Sequence, residues 1–259
     1  MAPKFVTPRG TLTANEYLVY SAEFGSLRGV KKALKAGADV DFDTSSDSRS
    51  SNPPNTALFS ACVHGRVDIA RLLLRKGASV VRRTVCAFAP LHAAAAEGWT
   101  EIVDLLVQHG ATLDIRDAYK NTPLIAAFCY NHVDTVRRLI ELGARPDLAN
   151  YYVTKRLAEK PVGTRESEEC VKLIQEAMKS KLLRCCNPKC GKPGYRSTLK
   201  LCAGCKLTRY CSRDCQKQHW SVGHKKCCGH DVYPDEEPLP FQNKVASMYK
   251  RILEHLNQG

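Results

Sequence analysis

Nine of the thirteen cysteines fall between Cys185 and Cys228, and their spacing is where chemistry concentrates in this chain. From Cys186 the pattern runs C-x3-C-x11-C-x2-C-x5-C-x3-C-x8-H-x3-C, carried by the strings CNPKC, CAGC, YCSRDC and HKKCC. Thiolates and imidazoles are the donors that zinc prefers, and close pairs of them can reach one ion from a single turn. Eight such donors supply two tetrahedral sites, the complement of two structural zinc ions. Cys185 stands beside Cys186 and Cys227 beside Cys228, so the choice of ligand is open by one residue at either end. Eight ligands for two ions leave no coordination position for water, whereas a catalytic zinc keeps one. Hydrolysis at this metal is not expected.

The compartment argument agrees with metal over disulfides. The start, MAPKFVTPRGTL, lacks the basic-then-apolar block of a secretory signal, and no run of 18 apolar residues occurs. The expectation is a cytoplasmic or nuclear chain with no membrane association, in which cysteines stay reduced. No Ser/His/Asp or Cys/His arrangement, phosphate loop or carboxylate pair stands out, so the chain is read as no enzyme and as taking no small-molecule substrate. Cys62 and Cys129 sit at apolar helical positions and read as small core fillers.

Charge is the harder signal. Residues 181–228 hold twelve Lys and Arg against one acid, Asp214, within a chain of net charge +13. Such a patch could attract nucleic acid through phosphate contacts, which makes a nucleic-acid-associated transcriptional regulator the alternative reading. It is not the favoured one. Aromatic residues for base stacking are sparse there (Tyr195, Tyr210 and Trp220), and cations also neutralise an anionic thiolate core.

The elements that carry this module come before it. The strings NTALFSACVHGRVDIARLLLRKGA, FAPLHAAAAEGWTEIVDLLVQHGA and NTPLIAAFCYNHVDTVRRLIELGA align without gaps, with Leu58, Leu91 and Leu124 evenly placed. An earlier unit, NEYLVYSAEFGSLRGVKKALKAGADVD, is offset by seven more residues, which fit the Ser-rich stretch 44–54 as a loop insertion. Each unit holds two apolar segments of helical spacing, too short to be stable alone in water. Stacking buries a continuous core, and four units exceed the practical minimum of about three. Thr13 followed by Glu16 predicts a capping box, and the glycines closing each unit predict left-handed caps. The segment 166–183 has helical periodicity and could cover the open end of the stack.

These units resemble the ankyrin repeat, whose TPLH, LLL and GAD landmarks recur in degraded form. The cysteine pattern, with its YC-S-x-x-C-Q-x-x-x-W segment from Tyr210 to Trp220, resembles the MYND zinc finger. The resemblance implies a mainly α fold: an ankyrin-repeat solenoid over 11–155, a capping helix or linker over 156–184, a two-zinc finger over 186–228, and a tail over 229–259 with a helix. It also implies an interleaved ligand set, Cys186 and Cys190 with Cys211 and Cys215, then Cys202 and Cys205 with His224 and Cys228. In the ankyrin landmark His92 would be a structural hydrogen-bonder. The implied role is a protein-interaction adaptor or scaffold. On the finger, Gln216 and Trp220 would hold proline- and leucine-containing peptides. On the repeats, Arg82, Arg83, Tyr119, Lys120 and Tyr151 at the hairpin tips, with Trp99 in the turn between helices, would meet protein partners.

Overall fold

The structure is a computed structural model, and it describes residues 4–8, 10–44, 55–84, 87–149, 152–154, 164–180 and 182–228. Four helix pairs follow a short hairpin, β1 (Phe5–Thr7) and β2 (Gly10–Leu12). The pairs are α1 (Ala14–Glu23) with α2 (Leu27–Lys35), α3 (Ala57–Val63) with α4 (Val67–Arg75), α5 (Pro90–Ala96) with α6 (Thr100–Gln108), and α7 (Pro123–Cys129) with α8 (Val133–Leu142). First helices pack on first helices and second on second, α1·α3·α5·α7 and α2·α4·α6·α8, so one apolar core runs through the whole stack.

The helices start where the sequence provides an oxygen for the first free N–H groups. Thr13 and Glu16 form the expected capping box, with the Thr13 N–H donating to Glu16 at 2.7 Å. Thr56 and Thr122 cap α3 and α7 through their hydroxyls. At α5 an alanine occupies the cap position, and His92 takes over. Its Nδ1 accepts the Ala89 N–H at 3.3 Å, while Nε2 donates to the Asn121 carbonyl of the next repeat at 3.0 Å. Burial lowers the pKa of His92, so the ring stays neutral and these two partners fix its tautomer. His92 is thus a structural link between repeats.

The turn inside each pair carries a second link. Arg66, Trp99 and His132 each begin a second helix and reach back to the preceding repeat. Arg66 Nε lies 3.4 Å from the Glu23 carbonyl, Trp99 Nε1 donates to the Val63 carbonyl at 3.0 Å, and His132 Nε2 contacts the Ala96 carbonyl at 2.8 Å. Each satisfies a carbonyl at a helix C-terminus that has no partner in its own helix. Each also lies flat over a glycine of that repeat. A Cβ built on Gly65 would sit 2.6 Å from the Trp99 ring, and one on Gly98 2.6 Å from His132.

After a 3-10 turn (Pro146–Ala149), α9 (Arg165–Ser180) packs on α8 and α7 and buries Cys170, Val171 and Ile174 in the common core. The finger follows as two hairpins, β3 (Leu182–Arg184) with β4 (Pro193–Tyr195) and β5 (Lys200–Leu201) with β6 (Arg209–Tyr210). It ends on α10 (Arg213–His219), a π turn (Trp220–His224) and one last turn, α11 (Lys225–Cys227). The expected tail helix lies outside the described residues, as do Tyr151 and most of the stretch 44–54. Cys129 departs from its reading as a core filler: it ends α7 exposed, whereas Cys62 is fully buried.

Finger and stack touch. The Cys227 thiol donates to the Gly110 carbonyl at 3.1 Å, and its side chain belongs to the apolar core of the repeats. Gly110 and Gly223 meet backbone to backbone, and a Cβ on Gly223 would lie 2.1 Å from the His109 oxygen.

Candidate metal centres and interaction surfaces

Two groups of four side chains gather in the finger. Cys185, Cys190, Cys211 and Cys215 form one, and Cys202, Cys205, His224 and Cys228 the other, with all ligand atoms in a group within 4.8 Å of one another. The finger's hairpins and helix make this possible. Cys185 leaves β3 and Cys190 sits in the following turn; Cys202 and Cys205 occupy the turn between β5 and β6. Cys211 leaves β6, and Cys215 is presented by α10, which Ser212 caps by accepting the Cys215 N–H at 3.2 Å.

The first group differs from the reading by one residue. Cys185 joins it, and Cys186 does not. Neighbours on an extended strand point to opposite sides. Cys186 pairs its backbone with β6, its N–H donating to Arg209 at 2.8 Å, and its Sγ accepts the Arg209 N–H at 3.3 Å. That turns Cys185 toward Cys190. At the other end Cys228 faces its group while Cys227 faces the repeats.

The spacing fits zinc. Sγ–Sγ separations are 3.7 Å for Cys190–Cys211, 3.5 Å for Cys211–Cys215 and 3.6 Å for Cys202–Cys228, and Cys205 Sγ lies 3.6 Å from His224 Nε2. A zinc–sulfur bond of about 2.3 Å in a tetrahedron gives an edge of about 3.8 Å. A disulfide would need about 2 Å between sulfurs. Burial, then the neighbouring thiol of Cys202, pushes the Cys228 thiol up to about 12. Such crowding is the usual cost of gathering thiols, and a dication offsets it. At Cys215 burial also opposes ionisation, but hydrogen bonds from Ser212 and Cys211 outweigh it and bring the thiol to about 7.

Around the second group lies a small polar shell that the spacing did not disclose. Thr208 Oγ1 is 3.5 Å from Cys205 Sγ, and the Tyr210 hydroxyl hydrogen-bonds His219 Nδ1 at 2.9 Å. His219 stacks on His224 at 5.1 Å, and burial with that neighbour takes its pKa down to about 4. His219 is therefore a buried packing group.

The expected partner residues divide. Trp220 is 40% exposed, and its backbone N–H donates to the Gln216 carbonyl, which puts the half-buried Gln216 one turn behind it on the same side. Arg82 is exposed. Arg83 is engaged, donating to the carbonyls of Ala87 and Arg116 at 3.3 and 2.7 Å. Tyr119 packs on the core and its N–H bonds Asp117, and Lys120 holds a left-handed φ of 63° in the same turn. Trp99 is 41% exposed, but its indole N–H is spent on Val63.

A stack of helix pairs joined to a closed, cysteine-rich finger defines a repeat protein bearing a zinc module. Comparison with known families agrees: ankyrin repeats (3 copies) match residues 85–150, a further ankyrin repeat matches 55–85, and a MYND finger matches 185–228. The chain therefore carries ankyrin repeats over 55–150 followed by a MYND zinc finger over 185–228, the arrangement of an ankyrin-repeat and MYND-domain protein. Modules of both types generally mediate protein interactions, the MYND finger is in addition a zinc-binding type, and both are typically non-catalytic. Ubiquitin carboxyl-terminal hydrolase 19 of Arabidopsis thaliana is 42% identical over 73 residues, which is 24% of this chain and 10% of that protein. This chain thus spans about a tenth of that relative's length. Among the described residues, no helix is long and apolar enough to cross a membrane.

Proposed function

We propose that the chain is a non-enzymatic interaction adaptor whose finger is held by two structural zinc ions. The observation that carries this reading is the pair of four-donor groups, each complete within the finger and each at tetrahedral spacing. Cys185, Cys190, Cys211 and Cys215 would hold one ion, and Cys202, Cys205, His224 and Cys228 the other. A filled tetrahedron offers no site for a substrate or a water nucleophile. What the ions supply is folding free energy, on the order of 10 kcal/mol for modules this small.

Protein partners would meet two surfaces. On the finger, the exposed Trp220 ring offers apolar area and the Gln216 amide a backbone hydrogen bond, suited to proline- and leucine-containing peptides. On the repeats, Arg82 keeps its guanidinium at the surface, while Trp99 offers a ring face with its N–H already satisfied. Elemental analysis of the full chain together with a peptide-array screen tests the proposal. Two zinc ions per chain and peptide capture lost in Trp220→Ala are the expected results. One ion or none in folded protein would sink the zinc assignment, and capture unaffected by Trp220→Ala would remove the finger from recognition.

A further inference from the structure

Where the fourth repeat, α9 and the first hairpin of the finger come together, they leave a cleft of about 300 Å³. Met178 and Leu183 are apolar walls of it, and Arg145, Asp147 and Arg196 are its charged ones. Past Leu183 it adjoins a second hollow of about 150 Å³, which carries Arg184 and apolar surface from Ile140 and Pro193. The two share Pro146, Ala177 and Leu183, so together they form one groove with two compartments.

The charge along this groove is unbalanced. Arg145 is paired with Asp147, and its backbone N–H donates to the buried Asp114 at 2.9 Å. Among the described residues, Arg184 reaches a backbone carbonyl, that of Gly191 at 3.3 Å, and no carboxylate. Arg196 is exposed and close enough to Asp147 to feel its charge, without a bond to it. Arg209 is the anomaly. It is only 7% exposed, and its Nε has no hydrogen-bond partner. Arginine is almost never buried unless paired, because an uncompensated guanidinium costs several kcal/mol, in rough terms, to remove from water. Among the described residues the groove is lined by the guanidiniums of Arg145, Arg184 and Arg196 and by one carboxylate, that of Asp147, and the apolar walls beside them have room for side chains.

We propose that this groove docks a short peptide of a protein partner that sets carboxylates between large aliphatic side chains. Arg196 holds a carboxylate in the field of Arg209, one aliphatic group rests on Met178 and Leu183, and the next enters the compartment beside Arg184. Nucleic acid fits less well, since among the described residues the lining has no aromatic ring on which a base could stack. The inference rests on the reading of this chain as an interaction protein, but it uses a surface separate from Gln216 and Trp220.

The test is fluorescence anisotropy of the full zinc-loaded chain with a labelled peptide Gly-Ser-Leu-Glu-Glu-Leu-Ser-Gly, beside counterparts in which Gln replaces Glu or Ala replaces Leu. Each counterpart is expected to bind about tenfold more weakly, the usual scale for losing one charge-assisted or apolar anchor. Arg196→Glu is expected to weaken the parent peptide by at least about tenfold and Met178→Gln by about fivefold, with zinc content and helicity unchanged. Trp220→Ala should leave this peptide's affinity as it was. Equal binding of the Gln counterpart, or full affinity in Arg196→Glu, would overturn the proposal. Affinity lost in Trp220→Ala would assign the peptide to the other face and refute the groove. Binding that appears only after Asp231, Asp235, Glu236 and Glu237 are changed to Asn and Gln would name this chain's own acidic segment as the occupant and overturn the partner. Should Arg196→Glu fail to fold, Arg196→Ala with a salt titration reads the same contact, and an affinity insensitive to both refutes it.

Discussion

Two adjacent cysteines with opposite fates are the sharpest case at the level of single residues. Cys185→Ser is expected to lower the zinc content from two ions to one and to loosen the finger, because it removes a donor from a closed set. Cys186→Ser should keep both ions and cost only about 1 kcal/mol, as it alters one buried sulfur that accepts the Arg209 N–H. Metal analysis of the two variants settles the assignment. Asp114 makes a different prediction. It is buried, and although the Arg145 N–H and charge oppose the shift, burial takes its carboxyl up to about 6. A folded pKa raised above the unfolded value contributes stability that is present below about pH 4 and lost as pH rises through 6. Asp114→Asn keeps an oxygen for the Arg145 N–H and removes the ionisation. Its stability relative to the parent should therefore rise between about pH 4 and 7, by an amount bounded at roughly 3 kcal/mol. Denaturant melts of both proteins across that range check it, and a difference flat in pH would refute it.

The repeats were legible as elements because a period of helix pairs writes itself into the sequence. The aligned leucines and the capping box at Thr13 are each local, and each appears as read. Leu106, fully buried in α6, should cost about 2–5 kcal/mol when cut to alanine. What periodicity could not show was the direction in which a side chain reaches. Trp99 reads as a large ring in a variable turn, hence a partner surface; in the fold its N–H caps the helix behind it. Trp99→Ala is expected to lower the repeat melt by about 1–2 kcal/mol, where a purely external ring would be neutral. Calorimetry distinguishes the two. The same blindness covers the finger. Ligand spacing gave eight donors, but choosing between Cys185 and Cys186 depends on which of two neighbours pairs with β6, a fact of strand pairing and not of spacing. Arg209 was read as one cation among twelve, since nothing in its flanking residues records that it would be buried without a carboxylate.

Across the whole molecule, the finger is a neighbour of the stack and not a tethered appendage. Gly110 and Gly223 meet at their backbones, and Cys227 extends the repeat core into the finger. A chain ending near Lys181 would uncover the Gly110 edge of the stack. Gly223→Ala tests the join alone: its backbone does not require glycine, yet the new methyl would press on the His109 carbonyl. We expect it to cost about 1–3 kcal/mol, to keep both ions, and to let the finger and the stack melt apart. A single unchanged transition would show that the contact is not used.

The backward reach of Arg66, Trp99 and His132 has a consequence for how such a chain can change over generations. Each glycine they cover, Gly25, Gly65 and Gly98, holds a left-handed φ in one repeat, while the ring or guanidinium that crowds anything larger there belongs to the next. The two positions must drift together. Among relatives of this chain, an alanine or asparagine at position 65 should be accompanied by a small residue at 99, and likewise for 98 and 132. A recombination that cuts between repeats would separate a residue from the space made for it. The natural unit of inheritance here is accordingly offset from the visible helix pair: it runs from the middle of one repeat to the middle of the next.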